Sequence, residues 1–190
     1  MTGKVQAWRY GATVSAGAAR GHGQAPLRRG KVAGARRRAD SMRWAILAIF
    51  MTLGAAASHA CPAPPQIELE IHLAAVNAER RKAGRRALTL APELSAVAQA
   101  HACDMARRGY FSHTSPDGRG MMDRARRAGI TGYCAMGENI AKGQADIPSV
   151  MGSWMRSPGH RRNILDGDYT AAGFGRGPGA HWVQVFAAGC

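Results

Sequence analysis

The sequence predicts an α+β domain, helices packed on a small, mainly antiparallel sheet, and two patterns carry that reading. Apolar residues recur at helical spacing through the earlier part of residues 61–190. The last stretch switches period, with Trp182, Gln184 and Phe186 alternating against His181, Val183 and Val185 after a Gly177-Pro178-Gly179 turn. At 190 residues the chain suits one such domain and falls short of two ordinary ones. With 46% hydrophobic and 20% charged residues it is not wholly disordered. No apolar run reaches the roughly 18 residues that span a bilayer, so a multi-span membrane protein is excluded.

Each element follows from local signals. After the extended lead Pro62 to Pro65, a helix is predicted from Gln66 to Lys82, with Ile67, Ile71, Ala74 and Ala78 at helical spacing and Gly84 closing it. Pro92 stands at a first-turn position of a second helix, whose Leu94, Val97, Ala98, His101 and Met105 trace one face until Gly109. Ser115-Pro116-Asp117-Gly118 reads as a tight turn, and a third helix runs from Met121 to Ala128 before Gly129. Gly137-Glu138-Asn139-Ile140 reads as part of a loop. Asp146 caps a helix from Pro148 through Val150, Met151 and Trp154 to Ser157. Pro158-Gly159-His160 then starts a short turn ending near Leu165, and Ala171–Arg176 with Ala180–Ala187 forms a hairpin.

The formal charge of +14 is concentrated upstream. Residues 1–43 hold ten of the 26 Lys and Arg against one acid, whereas residues 61–190 hold 16 bases and 11 acids. A surplus of +5 is ordinary for a soluble domain and is no footprint for nucleic acid. Residues 42–60 carry Arg43, the apolar stretch Ala45 to Ala57, and Ser58-His59-Ala60, the three regions of a secretory signal with cleavage after Ala60. Residues 1–41, basic and rich in Gly and Ala, read as a disordered or mis-called upstream extension. No stable transmembrane anchor is expected. Cys61 falls at the +1 position, but Ser58 stands where a lipidation signal has Leu, so the expectation is an unlipidated residue.

Export to a secreted or periplasmic location places Cys61, Cys103, Cys134 and Cys190 in an oxidising compartment, and two disulfides are expected. Three connectivities are open. Cys61–Cys190 with Cys103–Cys134 is the expected one, because it ties down both ends of the mature chain. Without a Cys-x-x-Cys pair, a cysteine zinc site has little support.

In order along the chain stand Asn77-Ala-Glu-Arg80, Phe111-Ser-His113 with Pro116-Asp-Gly118, Gly137-Glu-Asn-Ile140, and Trp154 with Ser157-Pro-Gly-His-Arg-Arg-Asn-Ile-Leu165. Gly173-Phe-Gly175 and Trp182-Val-Gln-Val-Phe186 follow. This ordered set resembles the CAP superfamily of cysteine-rich secretory, antigen five and pathogenesis-related class-one proteins, in its shorter bacterial secreted branch, over about residues 67–188. The resemblance implies an α-β-α sandwich with a cleft lined by histidines and acids. It maps the first histidine to His113, the acid to Glu138 and the second histidine to His160. A fourth acid, three residues after the tryptophan in the eukaryotic branch, is replaced here by Ser157; Asp117 and Asp123 are the substitutes considered.

Two imidazoles and a carboxylate suit zinc or another divalent metal, and equally suit proton transfer. Asn139, Ser157 and Trp154 are the expected supporting residues, Asn139 by fixing the turn that carries Glu138. Trp154 and Trp182 are candidates for a ligand groove, with core packing the commoner role of such aromatics. His101 is read as a core or boundary histidine. No catalytic residue is assigned, since Ser112, Ser115 and Ser157 sit in no Gly-x-Ser-x-Gly elbow. The expected function is a secreted, monomeric binding module for an extracytoplasmic lipid, peptide, polysaccharide or protein. The alternative is a metal-assisted extracytoplasmic hydrolase.

Overall fold

The computed structural model describes residues 4–9 and 61–190. Residues 42–60, read as a signal, and most of the upstream extension lie outside the described residues. In chain order the elements are β1 (Lys4–Arg9), α1 (Gln66–Lys82), β2 (Thr89–Leu90), α2 (Pro92–Arg108), α3 (Met121–Arg127), β3 (Tyr133–Lys142), α4 (Ile147–Arg156), α5 (Pro158–Leu165), β4 (Ala171–Gly177) and β5 (His181–Gly189). The sheet order is β1-β3-β5-β4-β2, antiparallel except for the short parallel β2–β4 pair.

Period-two alternation sorts the sheet's side chains between two cores. Ala172, Phe174, Trp182 and Phe186 pack with Val76 of α1, Val150 and Trp154 of α4, and Ile164 of α5. Val183, Val185, Met136 and Ile140 pack with Leu94, Ala98 and Met105 of α2 and with Met121 and Ala125 of α3. The result is the expected sandwich of helices on both faces of one sheet.

α2 lies unusually close to β4, because β4 presents Gly173, Gly175 and Gly177 to it. A Cβ built on Gly173 or Gly175 would collide with the backbone at Leu94–Ser95 or Ala98–Gln99. At that range α2 also completes the β4 edge. The Ser95 hydroxyl accepts from the Phe174 amide at 3.3 Å, and Gln99 accepts from the Arg176 amide at 2.8 Å and donates to its carbonyl at 3.1 Å. Edge groups that would otherwise seek a strand are thereby satisfied.

α1 forms where the apolar spacing predicts it, yet that spacing is not the face it buries. Ile67 and Ile71 remain 61% and 51% exposed, and His72, Val76, Asn77 and Arg80 point inward. Asn77 donates to the Leu88 carbonyl at 3.0 Å and accepts from the Leu88 amide at 2.8 Å, imitating a strand partner. Arg80, with no exposed surface, donates to the carbonyls of Arg86, Ile164 and Asp166 at 2.7–2.8 Å and fastens α1 to the segment after α5. His72 lies between Phe174 and Trp154 and accepts from Gln184 at 3.0 Å.

Three expectations are corrected. The segment around Glu138 is not a loop but the ten-residue strand β3, inside the sheet between β1 and β5. The turn after Ser157 is the eight-residue helix α5. The disulfides are Cys61–Cys103 and Cys134–Cys190, not Cys61–Cys190 and Cys103–Cys134. The wiring follows from the sheet: β3 and β5 are antiparallel with Tyr133 opposite Gly189, so the start of one strand meets the end of the other. Cys61 lies beside α2, where Gln99 donates to the Pro62 carbonyl at 2.9 Å, one helical turn before Cys103.

Candidate functional site

On β3, Met136, Glu138 and Ile140 share the face toward α2 and α3, whereas Gly137, Asn139 and Ala141 share the other. Glu138 is therefore a carboxylate inside an apolar layer, with no exposed surface. Two groups answer it. His113 Nδ1 lies 2.7 Å from its Oε1, and the Arg124 guanidinium donates to Oε2 at 2.6 Å. Arg124 donates also to the His113 carbonyl at 2.8 Å, so one side chain of α3 holds both the acid and the loop that supplies its histidine.

His101 of α2 completes the cluster. It has no exposed surface, stands 3.9 Å from Glu138, and its Nε2 meets the Ser112 carbonyl at 3.0 Å. A carbonyl only accepts, so His101 donates from Nε2 and pins the residue preceding His113. Desolvation lowers the His101 pKa to about 4 despite the opposing pull of Glu138, which keeps the ring neutral at ordinary pH. Burial alone would raise the Glu138 carboxyl. The hydrogen bond from His113 and the nearby His101 and Arg124 outweigh it and hold the group below its ordinary range.

An ionised Glu138 can only accept, so the proton of a neutral His113 resides on Nδ1 and the lone pair on Nε2. His113 Nε2 is buried and has no hydrogen-bond partner. No serine stands against it: the Ser112 hydroxyl accepts from the Thr114 amide, and the Ser115 hydroxyl faces the Tyr110 oxygen at 3.1 Å. Asp117 and Asp123 are engaged elsewhere, Asp117 with Arg108 and Arg119, and Asp123 at the start of α3 with the Gly120 amide and Arg126.

His160 lies on α5, which packs with α1 and α4 in the opposite helical layer. Its carbonyl accepts from Asn139 at 3.2 Å, and Asn139 accepts from Asn163 at 2.9 Å. Asn139 thus does not fix a turn; it joins β3 to α5. Ser157 is the hinge residue between α4 and α5, and Trp154 is a core residue, 1% exposed, its indole N–H donating to the Ile140 carbonyl. Trp182 is buried too and donates to the Gln144 carbonyl, so neither tryptophan lines a groove. Among the described residues no group of three or more His, Cys, Asp and Glu side chains is placed to hold a metal ion. Both oxygens of Glu138 are occupied, Oε1 by His113 and Oε2 by the Arg124 guanidinium.

Sequence reasoning missed Arg124 and the part played by His101. No signal in the sequence singled out Arg124, because the segment around Glu138 read as a loop, where a carboxylate needs no buried cation.

The model of the cysteine-rich secretory protein family, CAP, matches residues 73–188, more than half of the chain, and the chain belongs to that family. Among curated relatives, the Bacillus subtilis (strain 168) protein YkwD is 42% identical over 111 residues, 58% of this chain and 43% of that protein. The membrane protein YlbC of the same organism is 36% identical over 99 residues, 52% of this chain and 28% of that protein. The chain thus spans less than half the length of either. Among solved structures, an extracellular protein containing an SCP domain from Bacillus anthracis str. Ames superposes with a TM-score of 0.61 at 29% identity, covering 68% of this chain and 45% of that one. An outer surface protein from Borrelia burgdorferi shares the fold with a TM-score of 0.62 at 19% identity, covering 69% of this chain and all of that one.

Proposed function

We propose that the chain is a secreted or periplasmic binding module whose ligand centre is His113, backed by Glu138 and Arg124. The observation that carries this reading is His113 Nε2, a buried acceptor without a partner on a ring whose other nitrogen is held by a carboxylate. A ligand hydrogen-bond donor meeting that nitrogen finds it oriented in advance, which lowers the ordering cost of binding. Support for an extracytoplasmic site comes from the two disulfides and the extracellular protein that shares the fold. Among the described residues no helix is long and apolar enough to cross a membrane.

Zinc or another divalent metal at His113, Glu138 and His160, expected from the family likeness, is the competing occupant. Zinc titration of the full chain with its His113→Ala, His160→Ala and His101→Ala variants decides between the two. Under the present reading the wild type shows no tight zinc site, and a binding peptide, polysaccharide or lipid shifts the His113 ring resonance in the wild type and in His160→Ala alike. Zinc binding lost in both His113→Ala and His160→Ala but kept in His101→Ala would instead establish the metal centre. The same His–Glu pair is what activation of a water molecule requires. Turnover of a peptide or polysaccharide that disappears in His113→Ala would replace the binding module with a hydrolase.

A further inference from the structure

Arg124 also lines a cavity of about 260 Å³ between α2 and α3. Its lining combines apolar Val97, Ala100 and Ala128 with Arg119, Arg124 and Arg127. Its one acid, Asp104, is already answered by Arg107 at 2.7 Å, Arg108 at 3.3 Å and the Tyr110 hydroxyl at 2.7 Å. Its Ser115 hydroxyl donates to the Tyr110 oxygen at 3.1 Å, because the one Tyr110 proton goes to Asp104. Arg119 pairs with Asp117, whereas Arg127 has no ion pair among the described residues, and Arg124 Nε is buried without a partner. Residues 104–127 hold six arginines and three aspartates, so much of the surplus charge of residues 61–190 gathers here.

We propose that this cavity binds a carboxylate carried on a small apolar group. Arginines recognise a carboxylate through charge-assisted, often bidentate hydrogen bonds. The apolar part of the lining offers nothing to an inorganic anion, which would keep its hydration there, but it gains contact area from a short aliphatic side chain. Two sources present that chemistry, the terminus of a peptide ending in a small apolar residue and a free short-chain acid. The cavity adjoins the His113 centre through Arg124, yet its occupancy does not require that His113 bind anything.

The test titrates the full, oxidised chain with N-acetylvaline, N-acetylvalinamide, valerate and inorganic phosphate, following heat and the amide resonances of Ala100 and Ala128. N-acetylvaline or valerate is expected to bind at least about tenfold tighter than the amide, the scale of one charge-assisted contact. Tighter N-acetylvaline points to a peptide terminus, and tighter valerate to a free acid. Arg127→Gln should weaken binding about tenfold by the same reasoning, and Ala100→Leu should abolish it by filling the cavity. Both positions are exposed, so unchanged melting temperatures are expected to show the fold intact. His113→Ala should leave the affinity unchanged, which separates this site from the proposed ligand centre. Equal binding of acid and amide, equal displacement by phosphate, or indifference to both Arg127→Gln and Ala100→Leu would overturn the proposal.

Discussion

A carboxylate with no exposed surface depends on its partners, and Glu138 has one permanent cation within hydrogen-bond reach, Arg124. Replacing Arg124 by Met should cost about 3–5 kcal/mol, because the charge left behind is buried and uncompensated. Glu138→Gln in the Arg124→Met background should recover part of that loss, and urea denaturation of the four chains measures the coupling. The histidines set the acid sensitivity. Burial lowers the His72 pKa to about 3 and, as the largest influence, the His101 pKa to about 4, against 6.5 for a free ring. The unfolded chain therefore binds more protons than the folded one below pH 6.5, and stability falls as pH drops from there toward 4. Each ring contributes at most roughly 1 kcal/mol per pH unit within that window. Denaturation at pH 7, 6 and 5 should show the slope, and His72→Gln should remove one ring's share. At this scale the sequence was half legible. The family likeness picked out His113 and Glu138, but His101 on an apolar helical face looks like any core histidine, and nothing in Arg124 separates it from Arg126 and Arg127.

Helices α1 to α4 were legible because their ends are chemically marked, whereas α5 was read as a turn. Pro92 opens α2, Gly109 at φ 67° closes it, and the Asp146 carboxylate accepts from the Ser149 amide at the start of α4. β3 was not legible, since a strand covered on both faces loses polar alternation and Gly137, Glu138 and Asn139 are weak strand formers. Gly137 is required for close approach: a Cβ there would meet the Tyr169 hydroxyl. The glycines of β4 carry the same lesson with a larger energetic stake. Gly175→Ala drives a methyl into the α2 backbone, and neither element can yield without breaking the Ser95 and Gln99 contacts to the strand. Its cost should be at least the 1–3 kcal/mol or so of core overpacking. Gly152→Ala on α4 would meet only the flexible end of Arg156 and should stabilise by about 0.5–1 kcal/mol, as expected for a helical glycine. Thermal melts of the two variants moving in opposite directions would confirm the contrast, and equal shifts would contradict it.

Over the whole molecule, the two disulfides do different work from the one expected of them. A bridge from Cys61 to Cys190 would have joined the two ends of the 61–190 segment to each other; the observed pairs fasten each of them to the body, Cys61 to α2 and Cys190 to the start of β3. That pairing was hidden for the same reason as β3, because only its antiparallel run beside β5 brings residue 134 to residue 190. Non-reducing peptide mapping should recover Cys61–Cys103 and Cys134–Cys190. Replacing either pair by serine should cost about 2–5 kcal/mol, and since the pairs share no residue and close separate loops, the double replacement should be near the sum. The residues that hold His113, namely Glu138, Arg124 and His101, come from β3, α3 and α2 and touch neither bridge in their hydrogen bonds. Serine variants should accordingly melt at lower temperature while the His113 ring resonance, recorded well below the melt, stays where it is in the wild type. A shifted resonance at full folding would mean that the bridged segments position the site, and would move the origin of its geometry from the sandwich core to the disulfides.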